Sequence, residues 1–137
     1  METFQLVRTA LPNLEFSGEL LLQLNGADSD QAAGGRWHDV SIYKTNDGQY
    51  VVATSFHSPH PSELSDNYVE AVDSPAEIEE ILSLYNPTER VDRTLFDSKE
   101  ASKYQTVTQT LTRRYDQQVA QALRSLEPAT TVDSSNS

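Results

Sequence analysis

Three histidines are the residues of this chain whose type and spacing could bind a metal ion. His57 and His60 are separated by two residues, and imidazole nitrogens are ligands that zinc accepts. Further donors in the sequence are His38, Glu63 and Asp66. Because Pro59 and Pro61 flank His60, the pair spans a strand end and a loop, where sequence spacing fixes no coordination geometry. We therefore expect no metal and no cofactor, and keep a small metal-dependent hydrolase centred on His57, His60 and Asp66 as an alternative function.

A serine hydrolase would need a serine hydroxyl next to a histidine that a carboxylate orients. The residues of these types that lie close in sequence are Ser55, Ser58, His57, His60, Asp39 and Asp66. None of these serines is flanked by glycine, and no nucleophile elbow accompanies them. Glu77 and Glu80 lie three positions apart on an expected exposed helix face, where water keeps both carboxylates ionised. The sequence therefore assigns no catalytic residue and favours a non-enzymatic protein.

The absence of cysteine narrows the chemistry further. The chain has 137 residues and no cysteine, which excludes disulfides, thiolate metal sites and a cysteine nucleophile. The first ten residues lack a basic region followed by an apolar run, and no stretch reaches the roughly 18 apolar residues of a membrane span. We expect a cytoplasmic protein that does not enter a membrane.

The charge of the chain is acidic and unevenly distributed. There are 21 acidic and 10 basic residues, which gives a net charge of −11. Residues 61–92 contain nine acidic residues and one basic residue, whereas residues 99–126 contain five basic and two acidic residues. Such a field repels nucleic acid and anionic membranes and attracts basic proteins. We therefore expect a protein partner, and a basic one, rather than direct binding of nucleic acid.

Two groups of residues are predicted to bind that partner. One is the acidic group Glu77, Glu79 and Glu80, and the other is Trp37 and Tyr43, since aromatic residues on a mixed surface can anchor a partner. A helix packed over the two aromatic residues would bury them instead. Alternatively, the acidic residues of segment 61–92 would imitate the phosphates of a DNA backbone, and the chain would inhibit a nucleic-acid-binding protein.

The elements that position these residues begin with a β-hairpin over residues 36–57. Two runs of β-favouring residues flank Asn46, Asp47 and Gly48, and a three-residue loop with Gly48 in the left-handed region pairs Thr45 with Gln49. A two-residue loop would mix polar and apolar side chains on both faces, so we prefer the first register. It places His38, Val40, Ile42, Tyr50, Val52, Thr54 and Phe56 on an apolar face, and Trp37, Asp39, Ser41, Tyr43, Val51, Ala53, Ser55 and His57 on a mixed face.

Further strands are predicted on both sides of the hairpin. Apolar residues alternate along one segment, which is typical of a half-buried strand. They are Leu14, Phe16, Gly18, Leu20, Leu22 and Leu24. Residues 58–61 contain two prolines and end the hairpin, and residues 68–72 predict a short further strand. The sheet is therefore predicted to be an antiparallel meander of three or four strands.

Two helices are predicted after the sheet. Ser74 as N-cap, Pro75 at the first helical position and Glu77 three residues after the cap begin a short acidic helix, which Asn86 and Pro87 end. A second start at residues 97–100 opens a long amphipathic helix over residues 98–126, in which periodicity outweighs four alternating threonines. Its apolar stripe is Tyr104, Val107, Leu111, Tyr115, Val119, Ala122 and Leu126.

The length of the second helix suggests self-association. At about 1.5 Å per residue it would be roughly 43 Å long, so it either spans the domain, kinks near the threonines, or projects and packs against a copy of itself. We expect a homodimer formed through Tyr104, Leu111, Tyr115 and Leu126.

The predicted fold is α+β, with one domain over residues 1–126 and a disordered tail over residues 127–137. Both helices are expected to pack on one face of the sheet. That face is predicted to carry Phe16, Leu20, Val40, Ile42, Val52 and Phe56. The predicted function is that of a small acidic binding or regulatory protein that acts through protein contacts.

Overall fold

A computed structural model describes residues 2–26 and 33–126. The fold is α+β, with one antiparallel sheet in which the strands are neighbours in sequence order, and two helices. The elements are β1 (Glu2–Arg8), β2 (Leu11–Asn25), β3 (Trp37–Thr45), β4 (Tyr50–His57), β5 (Asp66–Val72), α1 (Pro75–Leu84) and α2 (Ala101–Leu126). The meander and the two helices are confirmed, but the sheet has five strands rather than three or four. The predicted tail over residues 127–137 lies outside the described residues.

Strand β1 was not predicted because its turn lacks the residue types that usually mark a hairpin. Phe4 and Leu6 alternate with polar residues, but the turn that follows contains Ala10 and neither glycine nor asparagine. Ala10 has φ 61°, a left-handed conformation that alanine rarely adopts. The pairing of β1 with β2 therefore enforces this turn, rather than the turn directing the pairing.

A bulge divides the side chains of β2 between the two faces of the sheet. Leu20 pairs with Tyr43 and Leu22 pairs with Ile42, so β2 has one extra residue between these pairs. An extra residue shifts the alternation of side chains by one position. Phe16 and Leu20 consequently lie on the face opposite to Leu22, and their predicted placement under the helices was wrong.

The β3–β4 hairpin has the predicted three-residue loop. The Thr45 amide donates to the Gln49 carbonyl at 2.8 Å, the Gly48 amide donates to the Thr45 carbonyl at 3.1 Å, and Gly48 has φ 85°. Trp37 pairs with His57 in the resulting register. Both predicted faces of the hairpin are confirmed.

Both helices pack on the apolar face of the hairpin, which we call the helix-covered face. The buried residues there are Val40, Ile42, Val52, Val72, Ile78, Leu82, Tyr85, Tyr115 and Ala122, with Phe56, Val91, Val107 and Leu111 in an adjoining cluster. Helix α2 is continuous and packs along the domain from Val107 to Ala122. No helix in the described ranges has the length and apolarity needed to cross a bilayer.

The threonines of α2 are compatible with the helix because their hydroxyls bond to the helix itself. Thr106, Thr108 and Thr112 each donate through Oγ1 to the carbonyl four residues earlier, at 2.9 to 3.0 Å. This bond satisfies the hydroxyl within the helix. The alternating threonines therefore neither end nor interrupt α2.

The other face of the sheet is concave and is closed at one end. Phe4 and Tyr43 lie on strands that β2 separates, yet their ring centroids are 4.8 Å apart. The Thr9 amide donates to the Asn67 carbonyl at 3.0 Å, so the β1–β2 turn reaches β5. The side chains enclosed there are Tyr43, Val51 and Val69, flanked by Phe4, Leu6, Leu14, Phe16 and Ala53. Tyr43 is thus part of a second, smaller core.

Candidate functional site

A serine, a histidine and a carboxylate lie together on the concave face, at the ends of β3 and β4. The ring of His57 stacks on Trp37 with centroids 4.9 Å apart and an angle of 21° between the planes. His57 Nε2 lies 3.1 Å from Asp39 Oδ2 and 3.3 Å from Ser55 Oγ. The structure therefore brings together four residues that the sequence placed on one hairpin face.

The geometry of this group differs from that of a hydrolytic triad. In a triad the carboxylate holds one ring nitrogen while the serine bonds to the other. Here Asp39 and Ser55 approach the same nitrogen of His57, so the carboxylate does not orient the ring toward the serine. Asp39 Oδ1 also accepts from the Gly26 amide at 3.1 Å. The contacts of Asp39 with His57 and with Gly26 connect the ends of β2, β3 and β4.

The residues considered as metal ligands are separated by the sheet. His57 lies on the concave face, whereas Asp66, which pairs with Phe56, lies on the helix-covered face 3.5 Å from Arg90. His60 Nε2 lies 3.3 Å from the Gly34 carbonyl. Within residues 2–26 and 33–126, no three histidine or carboxylate side chains converge on a common point that could hold a metal ion.

His38 is a core residue. Its side chain lies among Phe56, Tyr85 and Tyr115, with ring centroids 5.3 to 5.5 Å away, and the residue is 2% exposed. Burial lowers the pKa of His38 to about 4, and a hydrogen bond to the backbone of Pro87 opposes this only in part. The imidazole is therefore neutral at pH 7 and enclosed by aromatic rings.

A buried ion pair that no pattern in the sequence indicates joins three connecting segments. Arg36 Nε and Nη2 donate to the two carboxylate oxygens of Glu63 at 2.6 and 2.7 Å. Ser58 Oγ donates to Glu63 at 2.7 Å and the Asp92 amide donates at 2.9 Å. We call these four residues the clamp. They link the segment before β3, the β4–β5 loop and the segment after α1.

The clamp keeps its carboxylate ionised in spite of burial. The side chain of Glu63 is 0% exposed and that of Arg36 is 2% exposed. Burial acts to raise the pKa of Glu63, but the hydrogen bonds from Arg36, Asp92 and Ser58 together hold that pKa below its usual value. A paired charge of this kind is costly to break, because the partner left behind remains buried and unpaired.

Unlike the buried carboxylate of the clamp, the carboxylates on and around α1 lie at the protein surface. They are Glu70, Asp73, Glu77, Glu79, Glu80 and Glu89, and we call this group the acidic surface. In the part of the chain that the structure describes, none of these carboxylates lies within ion-pair distance of a basic side chain. The basic residue of this segment, Arg90, pairs with Asp66 instead. No basic side chain of the described residues therefore neutralises the negative charge of the acidic surface by an ion pair.

The predicted capping box fixes the start of α1 and hence the direction of its carboxylates. Ser74 Oγ accepts from the Glu77 amide at 3.4 Å, and Pro75 occupies the first turn, as predicted. The Glu77 carboxylate accepts from the Asp73 amide at 3.4 Å, so Glu77 has a structural role. Glu79 and Glu80 are exposed, and neither makes such a contact with any of the described residues.

Apolar side chains are exposed beside the acidic surface. Leu84 is 67% exposed and Leu11 is 52% exposed. Both line a groove of about 310 Å³ between β5, the β1–β2 turn and the end of α1, which also contains Glu89 and Arg90. Glu80 and Leu84 are four residues apart and share one side of the helix. Carboxylates and an apolar groove are thus adjacent.

The residues predicted to contact partners occupy different environments. Trp37 is partly buried against His57, and Tyr43 is 9% exposed within the concave core. Glu79 and Glu80 are on the surface, whereas Glu77 belongs to the helix cap. The acidic part of the predicted site is therefore accessible, and the aromatic part is mostly enclosed.

The stripe predicted to self-associate is largely covered by the chain itself. Leu111 is 1% exposed and Tyr115 is 2% exposed. The Tyr115 hydroxyl donates to the Leu82 carbonyl at 2.6 Å, and Tyr104 packs edge-on against Phe96 with centroids 5.4 Å apart. These contacts use the apolar side of α2 to hold the helix on the sheet.

Comparison with protein-family models, with curated proteins and with solved structures finds no match to this chain.

Proposed function

We propose that this chain is a non-enzymatic binding protein that presents its acidic surface to a basic protein partner. The observation that carries the proposal is the group of six carboxylates around α1, none of which lies within ion-pair distance of a basic side chain among the described residues. Surface carboxylates without ion-pair partners attract basic side chains, and the excess of negative charge would steer the encounter with a basic partner.

The surroundings of the acidic surface support the same proposal. Leu84 and Leu11 expose apolar area next to it, and a protein interface commonly combines an apolar centre with a polar rim. Glu79 and Glu80 take no part in capping or in the clamp, so their charge is available to a partner. The contacts of Ser55, His57 and Asp39 do not support an alternative hydrolytic function, because both neighbours share one ring nitrogen.

The test compares two double variants of equal charge. Glu79→Gln with Glu80→Gln neutralises the acidic surface, whereas Glu2→Gln with Glu15→Gln removes two exposed carboxylates from β1 and β2. Proteins captured from lysate are quantified by mass spectrometry. We expect a set of basic proteins that wild type and the β-strand variant retain, and that the α1 variant loses by about tenfold or more. Their capture should weaken as salt is added.

Equal capture by both double variants would refute the proposal. Competition by duplex DNA refines it, since a partner that releases the chain when DNA is added uses its nucleic-acid-binding surface. In that case the chain acts as an inhibitor that imitates DNA.

A further inference from the structure

The groove beside the acidic surface is lined by two leucines that the described chain leaves exposed. Leu84 at the end of α1 and Leu11 at the start of β2 both line it, and they are 67% and 52% exposed. Exposed leucines that stand alone are common on soluble proteins. These two come from segments far apart in the sequence, yet both face one groove of about 310 Å³. Exposed apolar surface that converges in this way marks a contact site.

Two tyrosine rings extend the apolar part of the groove. Tyr68 of β5 and Tyr85 after α1 line it, and their rings stack with centroids 5.9 Å apart. Tyr85 is 9% exposed and also packs against Tyr115 of α2, with centroids 5.3 Å apart. The core thus holds this aromatic wall in place, and a wall that is already ordered loses little conformational freedom when a ligand contacts it.

The charges at the groove favour a positively charged occupant. Asp66 and Arg90 both line the groove and pair with each other at 3.5 Å, so their charges offset one another. Glu89 also lines it, and no basic side chain of the described residues lies within ion-pair distance of its carboxylate. Glu80 precedes Leu84 by one helical turn and is exposed on the same side of α1. Negative charge therefore remains at the rim of the groove.

We propose that this groove receives a large apolar side chain of the basic partner, and that lysine or arginine residues beside that side chain contact Glu80 and Glu89. The occupant is a peptide segment of another protein that carries both features. The volume of the groove lies at the lower end of the roughly 300 to 1,000 Å³ of ligand pockets, so it suits one or two side chains rather than a whole helix. The inference rests on the proposed function, because it specifies the chemistry by which the basic partner is recognised.

The charge of the chain itself argues against an occupant from within it. Residues 27–32 and 127–137 each contain two acidic residues and no basic residue, so the acidic rim would repel them. A second copy has a net charge of −11 and meets the same repulsion. A basic segment of another protein is attracted to the rim and gains apolar contacts in the groove.

Selection from a displayed library of random nonapeptides tests the inference on the full chain. We expect wild type to enrich peptides in which lysine or arginine residues flank one recurrent leucine, isoleucine, methionine or phenylalanine. The Leu84→Ser variant should still enrich basic peptides, but without a recurrent apolar position. The variant with Glu79→Gln and Glu80→Gln should enrich fewer basic residues than wild type does.

The peptide that wild type enriches most is then labelled, and its binding is measured by fluorescence anisotropy. Leu84→Ser should weaken binding by about tenfold, because the apolar anchor then buries less apolar surface. This loss should persist at high salt, whereas the loss caused by Glu80→Gln should shrink as salt is added. Leu64→Ser is the matched control and should bind as wild type does, because Leu64 is also 67% exposed but lies outside the groove.

Basic peptides without a recurrent apolar residue would overturn this inference and leave the proposed function standing, and so would equal binding by the Leu84→Ser and Leu64→Ser variants. A wild-type selection without basic residues would contradict the proposed function as well. A wild-type dimer that Leu84→Ser converts to a monomer in sedimentation would place a second copy in the groove and refute the basic occupant.

Fluorescence of the single tryptophan, Trp37, checks that each variant is folded. Where Leu84→Ser prevents folding, Leu11→Ser replaces it with the same expected results, because Leu11 lines the groove from a different segment.

Discussion

Glutamate side chains are buried and paired in the clamp, but on the acidic surface they are exposed and, in the described structure, without an ion-pair partner. Glu63 is fully buried and accepts hydrogen bonds from Arg36, Ser58 and Asp92. Glu80 is exposed and forms no ion pair with a basic side chain among the described residues. Burial makes an unpaired charge very costly, whereas water solvates an exposed one at little cost. The clamp therefore serves stability, while the acidic surface is free to serve binding.

The difference also indicates how the chain distributes its few basic residues. It has 10 of them against 21 acidic residues. Arg36 is placed where a buried carboxylate requires it, and Arg90 pairs with the partly buried Asp66. The exposed carboxylates around α1 form no ion pair with a basic side chain in the described structure.

Neutralising one glutamate in each region is the most direct way to break this comparison. Glu63→Gln leaves the Arg36 guanidinium buried without its ionic partner, so we expect the free energy of unfolding to fall by about 3 to 5 kcal/mol. Glu80→Gln should change it by less than about 0.5 kcal/mol. Urea unfolding followed by Trp37 fluorescence measures both. Equal effects in the two variants would remove the distinction between the regions.

A paired substitution sharpens the same comparison. Replacing Arg36 by Met together with Glu63 by Leu removes both charges of the clamp. The double variant should lose less stability than Glu63→Gln alone, because no buried charge is then left without a partner. A larger loss in the double variant would mean that the clamp stabilises through its shape rather than through its charge.

Lowering the pH should destabilise the interior of the domain through His38, by less than the loss of the clamp does. The pKa of His38 is about 4 in the folded chain and 6.5 when unperturbed, so the unfolded state binds the proton first. Stability from the neutral ring is complete above pH 6.5 and is lost as the pH falls toward 4, by about 3 kcal/mol. Glu63 contributes stability above its unfolded pKa, which is lost only as the pH falls through its lowered folded pKa.

The variant His38→Phe isolates the histidine in this pH range. Unfolding in urea at a series of pH values should show a weaker dependence between pH 6.5 and 4 than wild type shows. Glu80→Gln serves as the matched control and should retain the wild-type dependence over that range. A wild-type slope in the His38→Phe variant would assign the effect to another group.

A substitution outside the clamp and the acidic surface should have a smaller effect on stability. Ala10 adopts φ 61° in the β1–β2 turn, and glycine reaches this conformation without the clash of a β-carbon. Ala10→Gly should raise the free energy of unfolding by about 0.5 to 1 kcal/mol, since the relief of strain exceeds the added freedom of the unfolded chain. Thermal or urea unfolding measures it. A loss of stability would show that the methyl group of Ala10 makes a favourable contact.

Local signals in the sequence were sufficient for the elements whose ends carry the right residue types. Asn46, Asp47 and Gly48 fixed the loop and the register of the β3–β4 hairpin, and Ser74 with Pro75 fixed the start of α1. Strand β1 was missed because its turn relies on Ala10, and the face of Phe16 was wrong because the bulge at Leu21 has no marker in the sequence.

The features of the candidate site also differ in whether the sequence indicates them. Charge counts along the chain located the acidic surface, because exposure of a charged helix face follows from composition and periodicity alone. The clamp could not be located, because Arg36 and Glu63 are 27 residues apart and each resembles an ordinary surface residue in sequence. The contact of Asp39 and Ser55 with one nitrogen of His57 likewise depends on side-chain geometry.

The sequence by itself determined the α+β class, the hairpin register, the two helices and the position of the excess negative charge. Each depends on residues that are neighbours along the chain or repeat at a fixed period. Tertiary structure decided the number of strands, the faces of β2, the burial of the α2 stripe and the partners of every buried charge. These depend on contacts between distant segments, whose geometry is set by the packing of the whole domain.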